Sequence, residues 1–546
     1  MNGGGVTRCI QFYMRLRFYG IFVDKINGIM IIVLPVLILL TTTIILVLLM
    51  LIKPGFRFHW LIAILGAFLS VVAVLFWQTN LAFIFSLPAW KPETIFLYSP
   101  SWLADDVSWP YGLSLTALGL ATISTAVIRK LSTPWNWVSI LFLVSIGLLT
   151  VSADNPLTLV IAWFAMDIAE LATLLRMVKE EKSEELVVGF SIRLGGVFLL
   201  LWASIVSISS GSPLNFREMP ESAGILLLLA ALLRLGVLPL HLPINDSEQR
   251  RGIITTLRLI SAASGLSLIA RIPSATFPTP IIPYLIILIG LFTIFSGWRW
   301  LQSSDELAGR PYLISGFGFL AITAMLLGNL RGSVAWGISL ILSGGLLFLN
   351  SSRGRSTSWL LFIGLWGLSA LPFSLTASVW INHSDLNNLI LIPHILGYSF
   401  ILTGYLRHAF TQQGDIDIGQ EPRWVQVIYP IGLSALPFIG ITISLKDWFQ
   451  TGSIGLWWVS SITLLLSFLI YLLFNRFIKT SIIMKLRYQP GKISFFSIVF
   501  WAIYHFIRRI ISLLTSILEG DGGMLWSIVI IVLFISIISQ VLQFSQ

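Results

Sequence analysis

The run Met30-Ile-Ile-Val-Leu-Pro-Val-Leu-Ile-Leu-Leu-Thr-Thr-Thr-Ile-Ile-Leu-Val-Leu-Leu-Met-Leu-Ile52 holds no charged residue and no glycine. Crossing about 30 Å of hydrocarbon takes roughly 20 apolar residues in a helix, so this run is long enough to span. It exceeds a signal-peptide core and is followed by more apolar runs, and it reads as a retained helix rather than a cleaved leader.

Similar runs recur near 59–87, 110–128, 135–151, 157–175, 187–209, 222–242, 253–272, 278–298, 311–329, 333–350, 358–381, 387–407, 425–445, 453–474 and 523–543. Sixteen candidate runs predict about 14 to 16 membrane spans. None shows the two-residue alternation of barrel strands, and backbone in lipid must satisfy its own hydrogen bonds, so the fold class is an all-α polytopic bundle. With 56% hydrophobic residues, 11% charged residues and a mean hydropathy of +0.90, a water-soluble globule is excluded.

The net charge of +10 is scattered among inter-helix turns rather than gathered on one face, so nucleic acid is not the expected partner; the bilayer is. One set of turns carries Lys53, Arg57, Arg129, Lys130, Arg176 to Lys182, Arg299 to Arg310, Arg353, Arg355, Arg407 and Arg476 to Lys492. By the positive-inside tendency that set is cytoplasmic, with Asp105, Asp106, Asp154 and Asp385 opposite. Both termini then lie outside, against which the N-terminal Arg8, Arg15, Arg17 and Lys25 argue. The single cysteine, Cys9, excludes disulfides, cysteine-ligated clusters and structural zinc within this chain, and no cofactor or metal is expected in it.

The organisation expected is a basic segment over 1–29, a bundle over 30–474, and a C-terminal part over 475–546. Within the last, 493–518 places His505, Arg508 and Arg509 on one helical face, as a helix lying along the membrane surface would; a seventeenth span is the alternative. The heptapeptide Gly-Leu-Ser-Ala-Leu-Pro-Phe occurs at Gly367 to Phe373 and again at Gly432 to Phe438, each inside a predicted span, through duplication or chance.

Ionisable residues at membrane depth are expensive and are the functional candidates. Asp167 and Glu170, three residues apart, share a helix face. They are either proton-accepting sites or partners of Arg193 or Arg234. Arg193, near the end of its span, reads as snorkelling to the interface. Arg234 and Arg258 lie deeper, and a guanidinium fixes a carboxylate but does not release its proton. His241, predicted two turns beyond Arg234 on nearly the same face, is either a titrating group or a structural histidine. Lys446 and Asp447 read as a solvated interfacial pair. No Walker loop or dinucleotide fingerprint occurs.

Over residues 100–450 these motifs resemble the antiporter-like membrane subunits of complex I (NADH:quinone oxidoreductase), membrane-bound hydrogenases and Mrp-type cation/proton antiporters. That family carries a lysine, then four residues, then Pro-x-His and a Leu-Pro; here Arg234, Pro239, His241 and Leu242-Pro243 stand in register. The next helix closes with Gly265-Leu-Ser-Leu-Ile-Ala270-Arg271, similar to the family's Ala-Arg ending. The family's tryptophan–glutamate pair becomes Trp163-Phe164, its second lysine Ala263, and the histidine before it Leu257, beside Arg258. The later lysine falls on Gly344, within Leu340 to Leu349, or on Tyr398, within His394 to Tyr398; the terminal charged residue falls on Trp380 or near Lys446.

The resemblance implies a subunit of a proton-translocating, energy-converting assembly in a bacterial or archaeal plasma membrane, partnered by other membrane subunits and by redox subunits. It also implies two half-channels built on central lysines, which this chain lacks, so that conduction is altered or lost. Alternatives are a cation/proton antiporter component without an electron-transfer partner and an unrelated polytopic lipid or sugar-carrier enzyme.

Overall fold

The computed structural model describes residues 31–87, 99–128, 133–177, 183–237, 251–352, 354–381, 388–410, 418–446 and 457–478, with Ala502, His505, Phe506 and Arg509 beyond them. The chain divides into two units, 1–480 and 481–546; in the second, those last four residues are helical. The predicted surface helix otherwise falls outside the described residues, as does the predicted span 523–543.

In the first unit the helices are α1 (Ile31–Ile52), α2 (His59–Leu75), α3 (Ser108–Thr125), α4 (Pro134–Val151), α5 (Pro156–Met177), α6 (Ser183–Ser209), α7 (Glu221–Leu235) and α8 (Ile253–Arg271). There follow α9 (Ile282–Gln302), α10 (Glu306–Leu326), α11 (Leu330–Ser339), α12 (Gly345–Leu349), α13 (Arg355–Gly367), α14 (Asn388–Phe410), α15 (Arg423–Lys446) and α16 (Trp457–Ile478). Among the described residues twelve spans are long and apolar enough to cross a membrane. The protein is a polytopic helical bundle, as the apolar runs predict. α8 and the α11–α12 segment form its interior, 94% and 100% buried, whereas α16 at the periphery is 22% buried. Most exposed indoles, Trp135, Trp298, Trp359, Trp366, Trp424, Trp457 and Trp458, lie within five residues of a helix end, where amphipathic rings favour the headgroup level, whereas Trp202 lies further inside α6.

Three spans depart from the sequence reading. The run 59–87 is helical only to Leu75; a 3-10 turn over Phe76–Asn80 and a left-handed Ala82 (φ 70°) lead into β1 (Phe83–Ser86), which pairs antiparallel with β2 (Ser101–Ala104). The run 222–242 stops at Leu235. Gly236 adopts φ 71°, its N–H bonds the Leu233 carbonyl at 3.2 Å and the Val237 N–H reaches back to the Leu232 carbonyl at 3.1 Å. This six-to-one closure ends a helix. Fifteen residues rise only about 22 Å, short of the roughly 30 Å that a full span requires.

The run 358–381 is likewise broken, because α13 ends at Gly367 and turns follow, with Ala370 (φ 54°) and Phe373 (φ 62°) left-handed. Non-helical backbone at membrane depth survives only where protein satisfies it. Here Thr376 Oγ1 accepts from the Ala370 N–H at 2.9 Å and donates to the Gly367 carbonyl at 2.9 Å. Ser460 Oγ donates to the Ala370 carbonyl at 2.7 Å, and the Tyr398 hydroxyl donates to the Leu368 carbonyl.

Ion pairs fasten both ends of the bundle. At one, Asp105 Oδ1 accepts from the Ser108 N–H and starts α3, while both its oxygens receive Arg271 of α8 at 3.0 and 3.1 Å; beside it Lys446 of α15 meets Asp106 at 3.2 Å. At the other, Arg251 pairs with Glu306 of α10 at 2.5 Å.

Candidate functional site

On α5 the side chains sort by face. Phe164, Ile168 and Leu175 look outward, each nearly half exposed, whereas Trp163, Asp167 and Glu170 are buried. A carboxylate at 164 would face outward, away from the bundle. The acids one and two turns further along instead point into the bundle.

Three neighbouring helices each bring an arginine to them. α6 packs on α7 where Gly196 lies under the Ala230 carbonyl; a Cβ there would come to 3.2 Å of that oxygen. α7 packs on α8 where Gly265 faces Leu235 and Arg234; a Cβ would meet Leu235 Cγ at 3.2 Å and the Ala231 carbonyl at 3.3 Å. Small residues at these two positions let the helices approach until the guanidiniums reach α5.

Asp167 Oδ1 receives Arg234 Nη1 at 2.5 Å and lies 3.2 Å from Arg193 Nε. Arg193 Nη1 donates to Glu170 Oε1, and Arg258 Nη1 lies 4.0 Å from the same oxygen. Arg234 Nε donates to Ser264 Oγ at 3.2 Å, and its guanidinium carbon sits 5.1 Å from the centroid of the Trp163 ring. Asp167, Glu170, Arg193 and Arg234 are all 3% exposed or less. The snorkelling expected of Arg193 is therefore corrected: with two carboxylates in reach, the guanidinium is better solvated inside the bundle than by stretching to the headgroups.

Five of the seven candidate residues thus form one ionised chain across α5, α6, α7 and α8. Each arginine keeps its proton, so the chain fixes charge in place. His241 lies outside the described residues, and since α7 ends at Leu235, no continuous helix face carries Arg234 on to it. Lys446 stands apart at the end of α15, over the Trp109 ring at 4.6 Å and paired with Asp106 rather than placed in the interior.

Among the described residues, no such chain of ion pairs is found around α11 to α14. Gly344 ends a π-helical turn (Leu340–Gly344) between α11 and α12, and a Cβ on it would touch Leu340, Phe348 and Leu313. Tyr398 is buried against Trp336, ring centroids 4.7 Å apart. His394 is buried with Nε2 3.0 Å from Thr323 Oγ1. Neither position that matches the family's later lysine carries a charge.

No protein-family model matches this chain, and no curated protein matches it. Among solved structures, a chain of the Mrp complex from Dietzia sp. DQ12-45-1b is similar, with a TM-score of 0.68 and 13% identity over 93% of this chain and 63% of that one. This protein therefore spans less than two thirds of that chain. A chain of the membrane-bound sulfane sulfur reductase, an archaeal respiratory membrane complex, is similar with a TM-score of 0.58 and 15% identity, over 91% of this chain and 99% of that one. The protein shares its fold with these two chains.

Sequence reading did not find the Asp105–Arg271 and Arg251–Glu306 pairs or the role of Ser264. Both pairs left the same weak signal: Asp105 and Arg271 lie on one side of the predicted topology, and Arg251 and Glu306 on the other.

Proposed function

We propose that this chain is an antiporter-like integral subunit of a complex-I-like assembly in an energy-converting membrane, in which the lysine relay of the first half is replaced by a fixed charge cluster. The observation that carries this reading is the Arg234–Asp167 pair, 2.5 Å apart and fully buried, at the position that matches the family's lysine. A lysine there gives up and regains a proton because burial lowers its pKa readily; a guanidinium held by a carboxylate does not. The uncharged Gly344 and Tyr398 support the same reading for the second half. The protein then serves as scaffold, holding neighbouring membrane subunits and, through them, redox subunits that carry the electrons.

A second reading, a component of a cation/proton antiporter without an electron-transfer partner, is favoured by the higher TM-score to the Mrp chain. Co-purification separates the two: flavin- and iron–sulfur-bearing subunits support the first, small membrane subunits alone the second. To test the fixed cluster, the assembly is reconstituted in vesicles with wild-type, Arg234→Lys or His241→Ala chains. Coupled proton flux is expected to be equal in all three, and a change with either substitution overturns the scaffold reading.

A further inference from the structure

The second half of the bundle holds a cavity that the charge cluster does not reach. It encloses about 300 Å³, at the lower end of the roughly 300 to 1,000 Å³ of small-molecule sites. Interrupted helices frame it. The π-helical turn Leu340–Gly344 lends Leu342 and Ser343, the end of α13 and the turns beyond it lend Gly364 and Leu375, and α15 lends Gly440 and Ser444. α13 packs on α15 but stops at Gly367, whereas α15 runs on to Lys446, so α15 outruns its neighbour and the turns that follow α13 leave space beside it. The lining is apolar, and its two hydroxyls are committed: Ser343 Oγ donates to the Gly364 carbonyl at 3.0 Å and Ser444 Oγ to the Gly440 carbonyl at 2.9 Å. An ordered water needs about two to four polar partners, which such walls do not supply. The mouth opens sideways. Trp366, Ile441 and Leu445 on its rim are each about half exposed on the apolar outer surface of the spans, while Leu342 and Leu375 further in are buried.

We propose that this cavity holds one acyl chain of a bilayer phospholipid, inserted sideways between α13 and α15. The cavity is continuous with the surface that the bundle presents to hydrocarbon, so the molecules that reach its mouth are lipid chains. An acyl chain asks for no hydrogen bond and is thin and flexible enough to follow an irregular wall. It meets that wall with the dispersion contacts that a longer α13 would have supplied. Hydrocarbon outside is as apolar as the lining, so retention comes from packing rather than from escape from water. The inference rests on the cavity and its opening, and is independent of whether the assembly moves protons.

The full-length chain is reconstituted in nanodiscs of phosphatidylethanolamine and phosphatidylglycerol that contain a phospholipid with a photoactivatable diazirine on one acyl chain, and cross-linked residues are mapped by mass spectrometry. Leu465 on α16, 71% exposed, reports ordinary contact with surrounding lipid. The wild type is expected to be labelled at Leu342 and Leu375 as well as at Leu465. A Cβ on Gly440 meets nothing closer than Leu342 Cδ1 at 3.8 Å, so Gly440→Leu is accommodated and its side chain takes up cavity space. This variant is expected to lose the label at Leu342 and Leu375 and to keep it at Leu465. Absence of label at both wall residues of the wild type overturns the proposal, as does an undiminished wall label in Gly440→Leu. If Gly440→Leu does not fold, Ile441→Trp, which adds bulk at the exposed mouth, is read by the same criterion. Displacement of the wall label by farnesol but not by unlabelled phospholipid would make an isoprenoid the occupant and overturn the acyl assignment. Loss of the wall label in the intact assembly would make a neighbouring subunit the occupant and overturn it equally.

Discussion

Around α5 to α8, two carboxylates and two guanidiniums lie buried in contact with a third, partly buried one; around α11 to α14, Trp336, Trp380 and Tyr398 pack edge to face, with centroids 4.7 to 6.1 Å apart. The two halves of the bundle thus handle polar burial in different ways. In the first, each charge is tolerable only because the next one is there, so the helices are coupled through a few atoms. Around α11 to α14 most buried polar groups are neutral and are met singly, as when the Tyr398 hydroxyl reaches the broken end of α13, although Ser333 Oγ has no hydrogen-bond partner among the described residues. Charge makes a site that fails as a unit, while neutral packing makes one that fails locally.

That contrast is open to direct test. Asp167→Ala strands Arg234 and leans Arg193 on Glu170 alone, and removing one partner of a buried pair costs about 3 to 5 kcal/mol. Denaturant titration of the purified chain should show that loss, and the double variant Asp167→Leu/Arg234→Met should recover most of it. A loss below about 1 kcal/mol, or additive single and double variants, would mean that the cluster is not coupled.

In the neutral half, Tyr398→Phe leaves the Leu368 carbonyl without its donor and should cost about 1 to 3 kcal/mol. The loss should be local, visible as faster amide exchange over 367–376 with little change on α5. Smallest of all, Lys446→Ala breaks a pair whose Asp106 partner is 80% exposed, and screened surface pairs are worth about 0 to 1 kcal/mol. A larger effect would mean that Lys446 acts through Trp109 beneath it.

The membrane class and most spans were legible in the sequence because a twenty-residue apolar run has only one stable form in lipid. That Asp167 and Glu170 share a face and that Arg193 or Arg234 could meet them was legible as one of two open readings, since burial leaves few ionisable residues. The position of Arg193 was not, because the choice between headgroup and carboxylate depends on how closely α6 approaches α5. Nor was the end of α7. Gly236 followed by Pro239 is a helix-stop signal, but a continuous apolar count runs over it.

The heptapeptide Gly-Leu-Ser-Ala-Leu-Pro-Phe marks the boundary most sharply. At Gly432 to Phe438 it lies inside the unbroken helix α15; at Gly367 to Phe373 the same residues end α13 and turn, two of them left-handed. Sequence alone determined that both copies sit at membrane depth, since that follows from the hydrophobicity of the residues around them. Whether each copy is helix or turn was decided by the tertiary structure. Only at the first copy do Thr376, Tyr398 and Ser460 stand ready to satisfy the carbonyls and N–H that an opened helix exposes, and without such partners lipid permits nothing but the helix.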